Sequence, residues 1–266
     1  FRRKNNCFSS NSLNRDKDVM NNENYENKLT RIEFNILTLF PELFPGSAGI
    51  SILGKALENG LWKLNTVNIR QFSQNKYCSV DDPPFGGGPG LIMRPDILGR
   101  ALDHVNSSIN DDKNHRTLCL SPKGKRFHQN IAKDLLNSDV ITIICGRYEG
   151  IDERFVSTRN IEEISLGDFI TSGGEQAALV IIDAIVRLIP GVLGRKESLE
   201  KESFEENLLE YPQYTRPEIW EGKKVPSILL SGNHKEIKNW RLKESESITK
   251  LRRPDLWQEY IAQKKV

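Results

Sequence analysis

The chain has 266 residues, 37% hydrophobic and 28% charged, enough length and apolar content for an α/β domain plus a smaller unit around a real core. No apolar run approaches the roughly 18–20 residues of a membrane span, and neither the cysteines (Cys7, Cys78, Cys119, Cys145) nor the histidines (His104, His115, His128, His234) have metal or disulfide spacing, which sets aside a membrane protein, a zinc framework and a disulfide scaffold. The net charge of +2 conceals +3 over residues 1–32, −6 over 33–210 and +5 over 211–266, a basic end on an acidic body that fits an anionic partner, nucleic acid first.

Residues 1–32 are rich in Asn, Ser and charge and lack hydrophobic periodicity, so a disordered extension is expected there. Residues 1–15 hold Arg and Ser and no acid, a weak resemblance to a transit peptide; an upstream leftover before a start at Met20 is the alternative. From Glu33 the pattern alternates strand and helix. Residues 33–40 read as a strand, and 50–59 place Ile50, Leu53 and Leu57 at helical spacing before Gly60. Residues 65–72 read as a second strand. After a long loop, Pro95 opens a helix to about Val105 with Ile97, Leu98, Ala101 and Leu102 inward. A third strand at 116–121, a helix at 128–137 and strands at 140–145 and 161–166 follow, with a polar span between the last two. The helix at 175–188 is apolar nearly all round and is therefore expected to be buried, in the fold or against a partner subunit.

This rhythm predicts an α/β domain over 33–189, a mostly parallel sheet covered on both faces by helices. Ligands in such sheets sit beyond the C-terminal strand ends. Residues 190–206 turn to glycine, charge and serine and read as an interdomain linker. A small helical domain is expected at 207–266, with one helix around 234–251 and another opened by Pro254. Cys119 and Cys145 fall inside apolar strands as buried free thiols, which points to a reducing compartment, the cytoplasm.

Several stretches can carry chemistry. Two glycine-bracketed turns follow strands, Gly146–Gly150 and Gly167–Gly174, a common way to bring bare backbone N–H groups to a ligand. The first carries Arg147, Tyr148, Glu149, Asp152, Glu153 and Arg154. The loop Cys78–Met93 contains four glycines and three prolines, a backbone of unusual φ/ψ lying close to something. It is neither a Walker P-loop nor GxGxxG. The basic set within Ser121–Arg126, at the end of the third strand, meets phosphate or caps a loop. Asp183 and Arg187 are four apart on one helix face, an internal ion pair or a catalytic arginine.

The motifs VDDPPFGGGPGLIMRP, LSPKGKRF, ICGRYEGIDERF, ISLGDFITSGGE, RLIPGVLG, YTRPEIWEGKKVPSILLSGNHKEIKNWR and LRRPDL resemble the bacterial tRNA (guanine-N1)-methyltransferases of the SPOUT superfamily, in order and at family spacing from about Glu33 to Trp257. The resemblance implies methyl transfer from S-adenosylmethionine to N1 of the guanosine 3′ to the tRNA anticodon, position 37. It implies a SPOUT-type sheet with a deep C-terminal trefoil knot made by Leu120–Pro122, Gly146–Gly150 and Leu166–Gly174. It also implies a homodimer whose active sites are shared between subunits. The cofactor residues so implied are Leu120, Ser121, Pro122, Gly146, Tyr148, Glu149, Gly150, Leu166, Gly167, Asp168, Phe169, Ile170, Thr171, Gly173 and Gly174. Backbone groups of Leu166–Thr171 and Gly146 suit adenine and ribose, and Tyr148 and Glu149 suit the methionine end. A carboxylate about 4 Å from the sulfonium contributes about 4 kcal/mol at an effective dielectric of ~20, before desolvation costs.

Arg187 matches the family's arginine near guanine O6, where negative charge grows as N1 loses its proton. The family's general base is most often a linker aspartate in a pattern like Glu-Asp-Ser-Phe, whereas this chain has Lys201-Glu202-Ser203-Phe204. Glu202 supplies a carboxylate of similar pKa, ~4.3 against ~3.9, on a side chain longer by about 1.5 Å. Glu202 is therefore the expected base, with Glu200 and Glu210 the next carboxylates. Lys235, Lys238, Arg241, Arg252 and Arg253 are the candidates for the tRNA body. The resemblance further implies that magnesium can assist proton removal, although the sequence shows no metal-ligand constellation. A SPOUT enzyme with another RNA target and a knotted RNA-binding protein without chemistry are the alternative readings.

Overall fold

The computed structural model describes residues 32–193 and 202–264, so the expected extension before Ile32, the middle of the expected linker and Glu200 lie outside the described residues. In chain order the elements are β1 (Ile32–Thr38), α1 (Ser51–Glu58), β2 (Trp62–Asn68), β3 (Asp81–Asp82), β4 (Ile92–Met93) and α2 (Pro95–Asn106). Then come β5 (His115–Arg126), α3 (Gln129–Leu135), β6 (Val140–Ile144), α4 (Glu153–Thr158), β7 (Glu162–Ser165) and α5 (Glu175–Val186). The last stretch holds β8 (Ile219–Trp220), β9 (Lys223–Lys224), α6 (Ser227–Leu230), α7 (His234–Arg252) and α8 (Pro254–Lys264).

The central sheet has the order β2-β1-β6-β5-β7, and every neighbouring pair in it is parallel. Side chains alternate between two apolar layers, as the strand period requires. Ile32, Phe34 and Ile36 of β1 and Ile141, Ile143 and Cys145 at β6 face a cluster that includes α1, α3 and α5. Leu37, Leu39 and Ile144 face the opposite cluster, where α2 and Phe155 of α4 pack. Trp62 opens β2, fully buried edge-on against Phe34 at 5.9 Å between ring centroids. Its indole N–H donates to the Leu53 carbonyl at 3.0 Å.

Several expected boundaries move, each for a local reason. The second strand runs over 62–68 rather than 65–72. The Asn68 side chain accepts from the Arg70 N–H at 3.0 Å and starts a 3-10 turn, and Ile69 is buried inside that turn. The third strand continues to Arg126, with a register shift between Leu120 and Lys125 against β7. The span read as polar contains α4, whose N-cap Asp152 accepts from the Arg154 N–H. Ser203, Phe204 and Leu209, at the far side of the expected linker, are held by the helical part. The Leu209 N–H donates to the buried Thr249 hydroxyl at 2.8 Å, and the Arg253 guanidinium lies 5.9 Å from the Phe204 ring.

Candidate active site

At the bulge of β5 and beyond the C-terminal ends of β6 and β7 lies a cavity of about 400 Å³, within the usual range for small-molecule sites. Three segments far apart in sequence build it. The β5 bulge brings Leu120, Ser121 and Pro122; the turn after β6 brings Gly146, Glu149 and Gly150. The segment between β7 and α5 brings Leu166, Gly167, Phe169, Ile170, Thr171, Gly173 and Gly174. Of the cofactor residues expected from sequence, Tyr148 and Asp168 alone stand outside the lining, both exposed. Lys123 of the basic set and Glu153 of the polar set also line it, and Cys119, Glu163 and Ala177 line it without having been expected. Their signal is adjacency, since each flanks an expected residue or sits on an element next to one. Lys123 reaches Glu153 at 2.9 Å, so this member of the basic set meets a carboxylate at the cavity wall.

The turn after β6 is backed by the glycine-proline loop. Tyr148 has a φ of 59°, a backbone state uncommon outside glycine that survives where surrounding bonds over-determine it. Those bonds are present. The Glu149 N–H donates to the Leu91 carbonyl at 3.0 Å, and the Met93 N–H donates to the Gly150 carbonyl at 2.9 Å. A Cβ on Gly90 would stand 2.3 Å from Glu149 Cγ, so Gly90 is what allows this close approach. The loop expected to lie close to something therefore lies against Glu149, and its Phe85 projects 98% exposed.

The second constellation is an arginine–carboxylate fork. Arg187 caps α5 at its C-terminal end. Its Nη1 and Nη2 donate to Oε2 and Oε1 of Glu202, each at 2.6 Å. These bonds hold the Glu202 carboxyl below its ordinary pKa, against the opposing effect of burial, and raise that of Arg187. The helical spacing offered Asp183 as the partner, but the fork goes to Glu202. Neither Arg187 nor Glu202 lines the cavity of its own chain. Glu210 donates its N–H to the Ser203 hydroxyl at 3.0 Å, and its carboxylate accepts from Gln213.

The basic residues expected to meet RNA divide in two. Lys235, Lys238 and Arg252 stand exposed on α7. Arg241 packs over the Tyr211 ring at 4.8 Å in the wall of a second cavity of about 930 Å³, its Nε buried without a hydrogen-bond partner. Arg253 forks onto Asp255. Among the described residues no three His, Cys, Asp or Glu side chains gather to hold a divalent ion, and no helix is long and apolar enough to cross a membrane.

Comparison with known proteins bears on this geometry. The family described as tRNA (Guanine-1)-methyltransferase TrmD matches residues 32–259. A protein of Pelagibacter ubique (strain HTCC1062) named tRNA (guanine-N(1)-)-methyltransferase is 53% identical over 225 residues, 85% of this chain and 96% of its own length. Proteins of the same name from Anaplasma phagocytophilum (strain HZ) and Brucella ovis are 54% and 52% identical over 84% and 86% of this chain, and 94% and 93% of their own lengths.

Proposed function

Since this chain belongs to the tRNA (guanine-1)-methyltransferase family, we propose that it methylates N1 of the guanosine 3′ to the anticodon, position 37, using S-adenosylmethionine. Its reaction class, tRNA (guanine-N1)-methyl transfer, comes with the family. The observation that carries the finer reading is the convergence of three distant segments on one cavity, at the strand ends where an α/β sheet binds ligands. The residues present fit the cofactor. Glycine-rich backbone suits its adenine and ribose, and the Glu149 carboxylate on the wall answers a positive sulfonium. When bound, S-adenosylmethionine supplies an activated methyl group.

The remaining work falls to Arg187 and Glu202. Arg187 places its guanidinium where negative charge grows on guanine O6, and Glu202 removes the N1 proton. In this chain the two are closed on each other. Turning the arginine fork from Glu202 to O6 releases the carboxylate and removes the bonds that depress its pKa. Substrate entry thereby makes Glu202 a stronger base. Because this pair lies outside the lining of its own chain's cavity, a homodimer in which one subunit's pair faces its partner's cofactor fits the arrangement. A deep trefoil knot through the three lining segments fits it as well, and buried free thiols at Cys119 and Cys145 suit the cytoplasm.

Incubation with labelled S-adenosylmethionine and a tRNA transcript carrying guanosine after the anticodon tests the reading, against the same transcript with that base changed. Label in the first transcript alone is expected. Equal labelling of both would overturn the position, and labelling of neither would favour an RNA-binding protein without chemistry. For the tRNA body, Arg252 is the discriminating residue, because Arg253 is already engaged by Asp255. Arg252→Ala is expected to weaken tRNA binding and reduce the slope of log K against log salt by about 1. An unchanged slope would remove Arg252 from the RNA interface.

A further inference from the structure

One buried ion pair next to the cavity has no part in the chemistry above. Glu175, the first residue of α5, is 1% exposed. Its Oε1 accepts from the Thr38 hydroxyl at 2.8 Å. Its Oε2 lies 2.9 Å from Arg147 Nε, off the hydrogen-bond axis, so the contact is an ion pair by distance alone. A carboxylate this deep requires a compensating charge, and removing that charge is costly.

Arg147 does more than compensate. Its Nη1 donates to the Ser172 carbonyl at 3.1 Å, and its guanidinium lies over the Phe40 ring at 4.4 Å. Its backbone N–H points to Met93 Sδ at 3.3 Å. The third lining segment closes down on this side chain. A Cβ on Gly173 would sit 2.2 Å from Arg147 Nε, and one on Gly174 would sit 2.8 Å from Cys145 Cα. The Gly174 N–H also donates to the Gly146 carbonyl at 2.9 Å. The segments 146–150 and 166–174 are therefore joined twice, once through backbone and once through Arg147, yet Arg147 does not line the cavity.

We propose that Arg147, anchored by Glu175, is a positioning residue that fixes the spacing of these two segments and so sets affinity for the cofactor without touching it. The proposal rests on the cavity being the S-adenosylmethionine site. A planar guanidinium can face Glu175, Ser172 and Phe40 together, and a lysine ammonium on a flexible stem cannot. A displacement of the order of 1 Å at a preorganised site can cost up to about 100-fold.

Two variants separate positioning from stability. Arg147→Lys keeps a charge beside Glu175 and loses the second arm. Arg147→Gln combined with Glu175→Gln removes the buried charge problem altogether. Each is to be measured for thermal midpoint, calorimetric affinity for S-adenosylmethionine, and kcat and KM for cofactor and tRNA separately. Arg147→Lys is expected to raise the cofactor Kd and KM roughly 10–100-fold, with kcat at saturating cofactor and KM for tRNA within a few-fold of wild type. The double variant is expected to melt within about 3 °C of wild type and still bind the cofactor weakly. Wild-type affinity in the double variant would overturn the proposal and leave Arg147 a stability partner. Wild-type affinity in Arg147→Lys would overturn it too. A wild-type protein that fails to bind S-adenosylmethionine would instead defeat the assignment of the cavity, and the proposal with it.

Discussion

Glu202→Gln is expected to slow single-turnover methyl transfer by roughly 10²–10⁴-fold while leaving cofactor affinity near wild type, because Glu202 is assigned to the guanine N1 proton and not to any group of the cofactor. Gln keeps the length and one acceptor oxygen but cannot take a proton at neutral pH. Rapid-quench measurement at saturating enzyme isolates the chemical step from binding and release. The carboxylate is buried enough to be held and exposed enough to be reached, with 29% of its side chain open. A single-turnover rate near wild type would move the base elsewhere, with Glu200 and Glu210 the next substitutions. Glu202→Asp is the informative companion, since it shortens the side chain by about 1.5 Å toward the pattern usual in the resembling family. A rate well below wild type would show that the rest of the linker is seated for the longer residue.

Arg187→Ala is expected to cost roughly 10²–10³-fold in the same assay, the usual loss when one donor to a developing negative charge is removed. Combined with Glu202→Gln, it is expected to cost little more than the worse single change, because the two side chains serve the same removal of the N1 proton. Multiplication of the two effects would mean that they act independently. The pH profile supplies a second readout. Arg187 holds Glu202 below the ordinary glutamate pKa. The pair's contribution to stability is therefore complete above that ordinary value and is lost as pH falls through the depressed one. Without Arg187, the acid limb of the kcat/KM profile, which reports the free enzyme, is expected to move up toward an ordinary glutamate.

The alternation of elements was legible because local chemistry records it. Apolar residues two apart in β1 and three to four apart in α2 report the strand and helix periods directly, and the short apolar run of β6 marks a strand buried on both faces. Boundaries were less legible where one residue changed the local outcome. Asn68 capped a turn inside an apparent strand, and Asp152 capped a short helix inside an apparent loop. Both caps were visible in the sequence, but each competes with a longer-range pattern. The glycine turns at Gly146–Gly150 and Gly167–Gly174, both visible in the sequence, supply nine of the residues lining the cavity.

By itself, then, the sequence determined the alternation of strands and helices and the two glycine turns, each written in spacing along a local stretch, and its motifs carried the resemblance to the family. Only the tertiary structure decided which partners meet. Arg187 chose Glu202 over Asp183, although helical spacing offered Asp183. Gly90 was placed against Glu149, and Thr38 against Glu175 across 137 residues of chain. These choices follow from where the strand ends converge and from the need to pair buried charge, and neither leaves a mark in any local pattern of residues.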